Sequence, residues 1–185
     1  MKRRIILIIF IFSVVTQISG CASSVPTVKF TQTPAPQVRI DVNDKVDIAV
    51  DAAAGVSMVD YEKQRLVQRI KEKLVELQVV NADAGEENVY KVKVVMTRYS
   101  KGNAFARAML AGLGQIHLDA DVQMYSGGTQ EKLANFNVSK TFAWGGIYGA
   151  STSMEDLEPA FAEAIARALT GQTEAEQAGK KNNEK

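Results

Sequence analysis

Cysteine and histidine are almost missing from this chain, with one of each, Cys21 and His117. A single cysteine excludes a disulfide framework within the chain. One cysteine and one histidine cannot assemble a Cys/His zinc site. A Ser-His-Asp triad would have to use His117, and no nucleophile-elbow motif accompanies it. A basic surplus is missing too: 22 Lys and Arg stand against 21 Asp and Glu, a formal charge of +1. Nucleic acid is therefore not an expected partner. Proline is scarce, and Pro26, Pro34 and Pro36 are three of the four. Trp144 is the only tryptophan. Only the N-terminus carries a long hydrophobic run.

That run follows Lys2, Arg3 and Arg4, and Ile5 to Val15 is apolar but for one serine. It is too short for a typical membrane-spanning helix and has the pattern of a secretory signal. Ile18-Ser19-Gly20-Cys21 resembles the bacterial lipobox, so residues 1–20 are expected to be cleaved and Cys21 to carry lipid, palmitate included. Several acyl chains give stable attachment at about 0.8 kcal/mol per buried methylene. Ala22 stands where an aspartate would resemble the inner-membrane retention signal. The expected location is the periplasmic face of the outer membrane. Losing Lys2, Arg3 and Arg4 leaves 19 basic residues against 21 acidic, a formal charge of −2.

Residues 21–37 read as the lipidated cysteine and a Pro-rich tether, extended where it is polyproline-like. Val28 to Phe30 alternatively pack as an extra edge strand. Residues 172–185 contain no large apolar side chain and read as a disordered polar tail. Between them, 38–171 is long enough for one domain with one core. Val38, Ile40 and Val42, then Val46, Ile48 and Val50, alternate around Asn43-Asp44, so a hairpin is expected there.

A helix follows, signalled by Ser57 and Asp60 and by Val59, Leu66, Val67, Ile70, Leu74 and Leu77 at helical spacing. Glu62, Lys63, Arg65, Arg69, Lys73 and Glu76 read as its solvated side. Three alternating strands come next, Tyr90–Tyr99, Ile116–Tyr125 and Ala134–Phe142, the last two joined at Ser126-Gly127-Gly128-Thr129. A last helix starts near Ser153, tolerates Pro159, buries Leu157, Phe161, Ala164, Ile165, Ala168 and Leu169, and stops at Gly171. The expected fold is α+β. It has an antiparallel sheet of about four strands, in the order strand, helix, three strands, helix, with both helices on one face.

Arg107, the Gly112-Leu113-Gly114 step, the strand IHLDADVQMY, the glycine hairpin and the run WGGIYG fall in a familiar order. In these features the chain resembles an uncharacterised bacterial lipoprotein family, domain of unknown function 4410 (DUF4410), over about Val46 to Leu169. Where that family often has an aspartate followed shortly by Thr-Gly at the hairpin, this chain has Tyr125-Ser126-Gly127-Gly128-Thr129, which leaves the turn geometry open. The resemblance implies no reaction. The plan of lipobox, tether and small domain is similar to periplasmic lipoproteins that activate cell-wall synthases or assemble secretion pores, a fold-level analogy.

His117, Asp119 and Asp121 share one face of a strand, about 7 Å apart, and could centre a metal-assisted hydrolase. The simpler reading is a solvated outer face, so no enzyme, catalytic residue, metal or cofactor beyond the covalent lipid is expected. Gly112 and Gly114 lack the third glycine and the following helix of a dinucleotide loop. FARAMLAGLGQ, Phe105 to Gln115, either closes the core with Phe105, Met109 and Leu110 or faces outward. If strands run up and down, it emerges beside AWGGIYGAS, Ala143 to Ser151. Phe105, Arg107, Met109, Leu110, Trp144 and Tyr148 are then the candidate contact residues for a protein partner or a second copy. A binding and assembly module of the cell envelope is the expected function, with the hydrolase or an oligomeric component of an export apparatus as alternatives.

Mass spectrometry of the mature protein is expected to find acylated Cys21 at its N-terminus, and Cys21→Ser to block maturation. An unmodified thiol at position 21 would contradict the lipobox reading.

Overall fold

The computed structural model describes residues 25–34, 40–41, 43–77, 87–110 and 113–172. The signal segment, Cys21, most of the expected first hairpin strand (residues 38, 39 and 42), Ala111, Gly112 and residues 173–185 lie outside the described residues. In chain order the elements are β1 (Thr27–Gln32), β2 (Lys45–Ala52), α1 (Asp60–Leu77), β3 (Val89–Ser100), α2 (Ala104–Met109), β4 (Ile116–Ser126), β5 (Lys132–Phe142), α3 (Gly146–Ser151) and α4 (Met154–Thr170). They form an α+β fold on one five-stranded sheet of order β1-β5-β4-β3-β2. Among the described residues no helix is long and apolar enough to cross a membrane.

Two features correct the four-stranded antiparallel expectation. First, Thr27–Gln32 is not tether. It pairs antiparallel with β5, Thr27 opposite Ser139, and becomes an edge strand. Alternation explains this, because Val28 and Phe30 turn inward and the Phe30 ring lies 5.1 Å from that of Phe136. Second, β2 pairs with β3 in parallel, Ile48 opposite Val92. Helix α1 carries the chain back along the sheet, so β3 starts at the same end as β2, which makes the pair parallel and the sheet mixed. The expected hairpin partner of β2 retains two described residues, Ile40 and Asp41. Ile40 is buried, and its N–H reaches the Leu169 carbonyl at 3.4 Å.

The alternating strands bury the faces the pattern assigns them. Val92, Val94 and Met96 of β3, Ile116, Leu118, Ala120, Val122 and Met124 of β4 and Ala134, Phe136 and Val138 of β5 face α1 and α4. One register shift between Met96 and Arg98 breaks the alternation. This bulge inserts a residue and turns Tyr99 inward instead of out. The β4–β5 turn is longer than expected. Ser126 N–H meets Glu131 O at 2.9 Å, and Gln130, not a glycine, takes the left-handed φ of 58°.

The start of α1 also differs from expectation. Val59 is exposed, and Glu62 rather than Asp60 closes the cap, its carboxylate accepting the Val59 N–H at 3.0 Å. Burial works to raise the Glu62 carboxyl, but Lys101 at 2.6 Å and the Val59 N–H hold it below its ordinary value. Helix α4 starts at Ser153, whose N–H and Oγ donate to Asp156 Oδ2 at 2.8 and 2.9 Å. It ends at Gly171 with a left-handed φ of 73°.

The charged side of α1 is not all solvated. Glu158 of α4 is fully buried. It accepts from Arg65 Nε at 2.8 Å and Nη2 at 2.8 Å, from Arg69 Nε at 3.1 Å and from Tyr99 Oη at 2.8 Å. Arg65 and Arg69 are four apart, so both face the seam where α1 meets α4. Burial, then the Glu158 carboxylate, pushes the Tyr99 phenol well above its usual value. The Thr97 bulge is what delivers Tyr99 to this cluster. Glu158→Ala is expected to cost about 3–5 kcal/mol, since it leaves two guanidinium groups facing a cavity. Urea unfolding measures this, and a loss under about 1 kcal/mol would refute a structural role for the cluster.

Candidate functional site

The C-terminal ends of β3 and β5 and the start of β4 share one end of the sheet, with Ser100 opposite His117 and Ile116 opposite Phe142. The connections 101–115 and 143–153 therefore emerge side by side, each folding into one short helix, α2 and α3. The first is closed at its base. Asn103 N–H reaches Gly114 O at 3.1 Å, and the Asn103 side chain caps α2 by accepting Ala106 N–H at 2.9 Å. Gly102 and Gly114 both have left-handed φ, 64° and 68°. A Cβ at Gly102 would sit 2.2 Å from Gly114 O, so this base admits no side chain there.

Arg107 joins the two loops. It was expected to flank a contact surface, but only 3% of it is exposed. Its Nε donates to Gly149 O at 2.7 Å and its Nη2 to Thr152 O at 2.9 Å, both in the second loop. Its Nη1 donates to Gly114 O at 2.7 Å and Lys101 O at 3.3 Å in the first. The guanidinium thus satisfies carbonyls at the end of α3 that have no helical partner. Arg107 positions the loops and is withdrawn as a contact residue. Gly149 belongs to the same joint, because a Cβ there would meet Trp144 O at 2.1 Å. The glycines serve close approach within the domain, where the sequence suggested room for a partner's backbone.

The remaining candidates point outward. Phe105 is 74% exposed, and Met109, Leu110, Trp144 and Tyr148 are exposed too. The question of whether Phe105, Met109 and Leu110 close the core is thus decided: they do not. Tyr148 packs edge-on against Trp144 with centroids 5.7 Å apart, and lies 6.0 Å from Phe142. Two neighbours escaped sequence reasoning: Leu113, and Ile147 at 91% exposure. The only available signal for Ile147 was its position as the one aliphatic side chain in a glycine-rich run.

His117, Asp119 and Asp121 stand on the helix-free face of the sheet, each engaged across to β5. His117 Nδ1 lies 3.1 Å from Thr141 Oγ1, Ser139 Oγ donates to Asp119, and Asn137 Nδ2 donates to Asp121 at 2.9 Å. Burial, with Arg98 nearby, lowers the His117 imidazole below its ordinary value. A shallow cavity of about 440 Å³ on this face is lined by Thr27, Lys29, Thr97, Asp119, Asn137 and Ser139. Among the described residues no group of three or more His, Cys, Asp or Glu is placed to hold a metal ion.

A family model, Domain of unknown function (DUF4410), matches residues 28–146. The match starts within β1, earlier than the resemblance suggested. No curated protein matches the chain. Among solved structures the chain is similar to the PelC dodecamer of Paraburkholderia phytofirmans. The two are 11% identical over 78% of this chain and 98% of that one, with a TM-score of 0.48. It is also similar to a Xanthomonas campestris protein of family model DUF330, 15% identical over 82% of this chain and 97% of that one, with a TM-score of 0.44.

Arg107→Met removes the shared donor from both loops and is expected to cost on the order of 3 kcal/mol. Met109→Ala, on the outer side of the same helix, should stay within about 0.5 kcal/mol. Equal losses in urea unfolding would contradict the assigned division between joint and surface.

Proposed function

The chain belongs to the DUF4410 family of domains of unknown function, and from that premise we propose that it is a non-enzymatic, lipid-anchored binding module of the bacterial cell envelope. It is held by acylated Cys21 on the periplasmic face of the outer membrane and works through the apolar end formed by its two loops. The observation that carries this reading is a contradiction in solvent terms. Five large apolar or aromatic candidates are exposed, yet the two loops that carry them are joined by a buried arginine. A contiguous apolar surface of this kind marks a contact site, because water gains nothing from it and the domain does not use it for its own core.

Its composition, aromatic and methionine-bearing, suits contact with an envelope protein or a second copy as well as with lipid. An oligomeric component of an export apparatus would use the same surface. A metal-assisted hydrolase at His117, Asp119 and Asp121 finds less support, since those side chains are engaged in cross-strand pairs. No cofactor other than the lipid on Cys21 enters this reading.

A photo-cross-linking residue at position 147 in living cells is expected to capture a contact that one at position 75 does not, both side chains being exposed. Equal capture at the two positions would count against a dedicated contact end.

A further inference from the structure

We infer that the apolar end docks on the lipid bilayer itself, its two short helices lying in the headgroup region of the membrane that holds Cys21. The inference deepens the binding reading above and rests on it.

The first observation is direction. β1 begins with Thr27 opposite Ser139, three residues before β5 ends at Phe142. The chain therefore enters the domain at the end where α2 and α3 emerge, not at the hairpin end. Cys21 precedes Val25 by four residues, which span at most about 14 Å when fully extended. Whatever path those residues take, an acylated Cys21 keeps this end within a short reach of the bilayer surface.

The second observation is where apolar surface is exposed. Every large exposed apolar side chain described, except Val75 and Val89, belongs to a segment at this end. They include Val59 and Tyr61 at the start of α1, because β2 runs parallel to β3 and delivers α1 there. The third is charge. Ala104–Leu113 and Ala143–Ser151 contain no ionisable side chain other than buried Arg107 and the phenol of Tyr148. The charge nearest to them on the first loop is Lys101, at its base, where it pairs with Glu62 at 2.6 Å. Trp and Tyr are the residues that prefer the membrane–water interface, and both stand on α3 or beside it. The apolar face of an interfacial helix lies about 5–10 Å into the headgroup boundary.

Trp144 is the only tryptophan and so reports its own surroundings. The test uses the full mature acylated chain in vesicles of phosphatidylethanolamine and phosphatidylglycerol with brominated acyl chains. The expected result is a blue shift of Trp144 emission, its loss to bromine quenching and its protection from aqueous iodide. In a folded Leu113→Asp, Ile147→Asp variant, still acylated, Trp144 should return to iodide-accessible water. Val75→Asp should change nothing. An acylated wild-type chain whose Trp144 remains open to iodide overturns the inference and leaves the anchor intact. Shielding from iodide without bromine quenching overturns it in favour of a protein contact. A chain without acyl groups on Cys21 overturns the anchoring reading and this inference together.

Discussion

One guanidinium group decides what this domain presents to its surroundings. Arg107 donates to carbonyls of Lys101, Gly114, Gly149 and Thr152 while almost none of it is exposed. Backbone oxygens at the ends of loops are usually left to water. Here one charged side chain collects four of them, and the geometry of that collection forces the rest. The loops must lie side by side, Gly149 must have no side chain, and the base of the first loop must close through Gly102 and Gly114. With the polar backbone turned in toward Arg107, the large apolar side chains of both loops are left on the outside. The surface is a consequence of satisfying polar groups within.

The sheet explains why this end faces where it does. β1 adds to β5 with its N-terminal end toward the loops, so the segment that leads to Cys21 leaves from the same side. The helices α1 and α4 also start there, clamped to each other through Glu158, Arg65, Arg69 and Tyr99. A buried charge cluster on one side of the end and a buried arginine on the other give the surface a rigid mounting. Rigidity matters for binding, because an ordered surface loses less conformational entropy on contact than a floppy loop.

Much of the fold was legible in the sequence because the strands alternate cleanly. Val92, Val94, Val122, Phe136 and Val138 fall inside as their spacing requires. What the spacing does not encode is direction. Nothing in VDIAVDA distinguishes a strand paired in parallel from one in a hairpin, and only the crossover through α1 decides it. The bulge between Met96 and Arg98 was likewise invisible, since Tyr99 breaks the period only by virtue of one extra residue. Charged residues misled most. Arg107, Arg65, Arg69 and Glu62 read as solvated or contact-making by type, whereas each has a partner far away in sequence: Gly149 and Thr152 for Arg107, Glu158 for Arg65 and Arg69, and Lys101 for Glu62. The outward aromatics could be proposed but not decided from sequence, because burial and display look alike in FARAMLAGLGQ until the partner loop is placed.

If the contact surface is preorganised by Arg107, its backbone should be protected before any partner arrives. Amide hydrogen exchange on the mature chain tests this directly. The amides of Leu110, Gly149 and Thr152 donate within their loops to Ala106 O at 2.8 Å, Gly145 O at 3.2 Å and Tyr148 O at 3.2 Å. The account predicts slow exchange at all three in wild type and, in Arg107→Met, an acceleration at these amides larger than that in β4. Rapid exchange at these amides in the wild-type chain would contradict it.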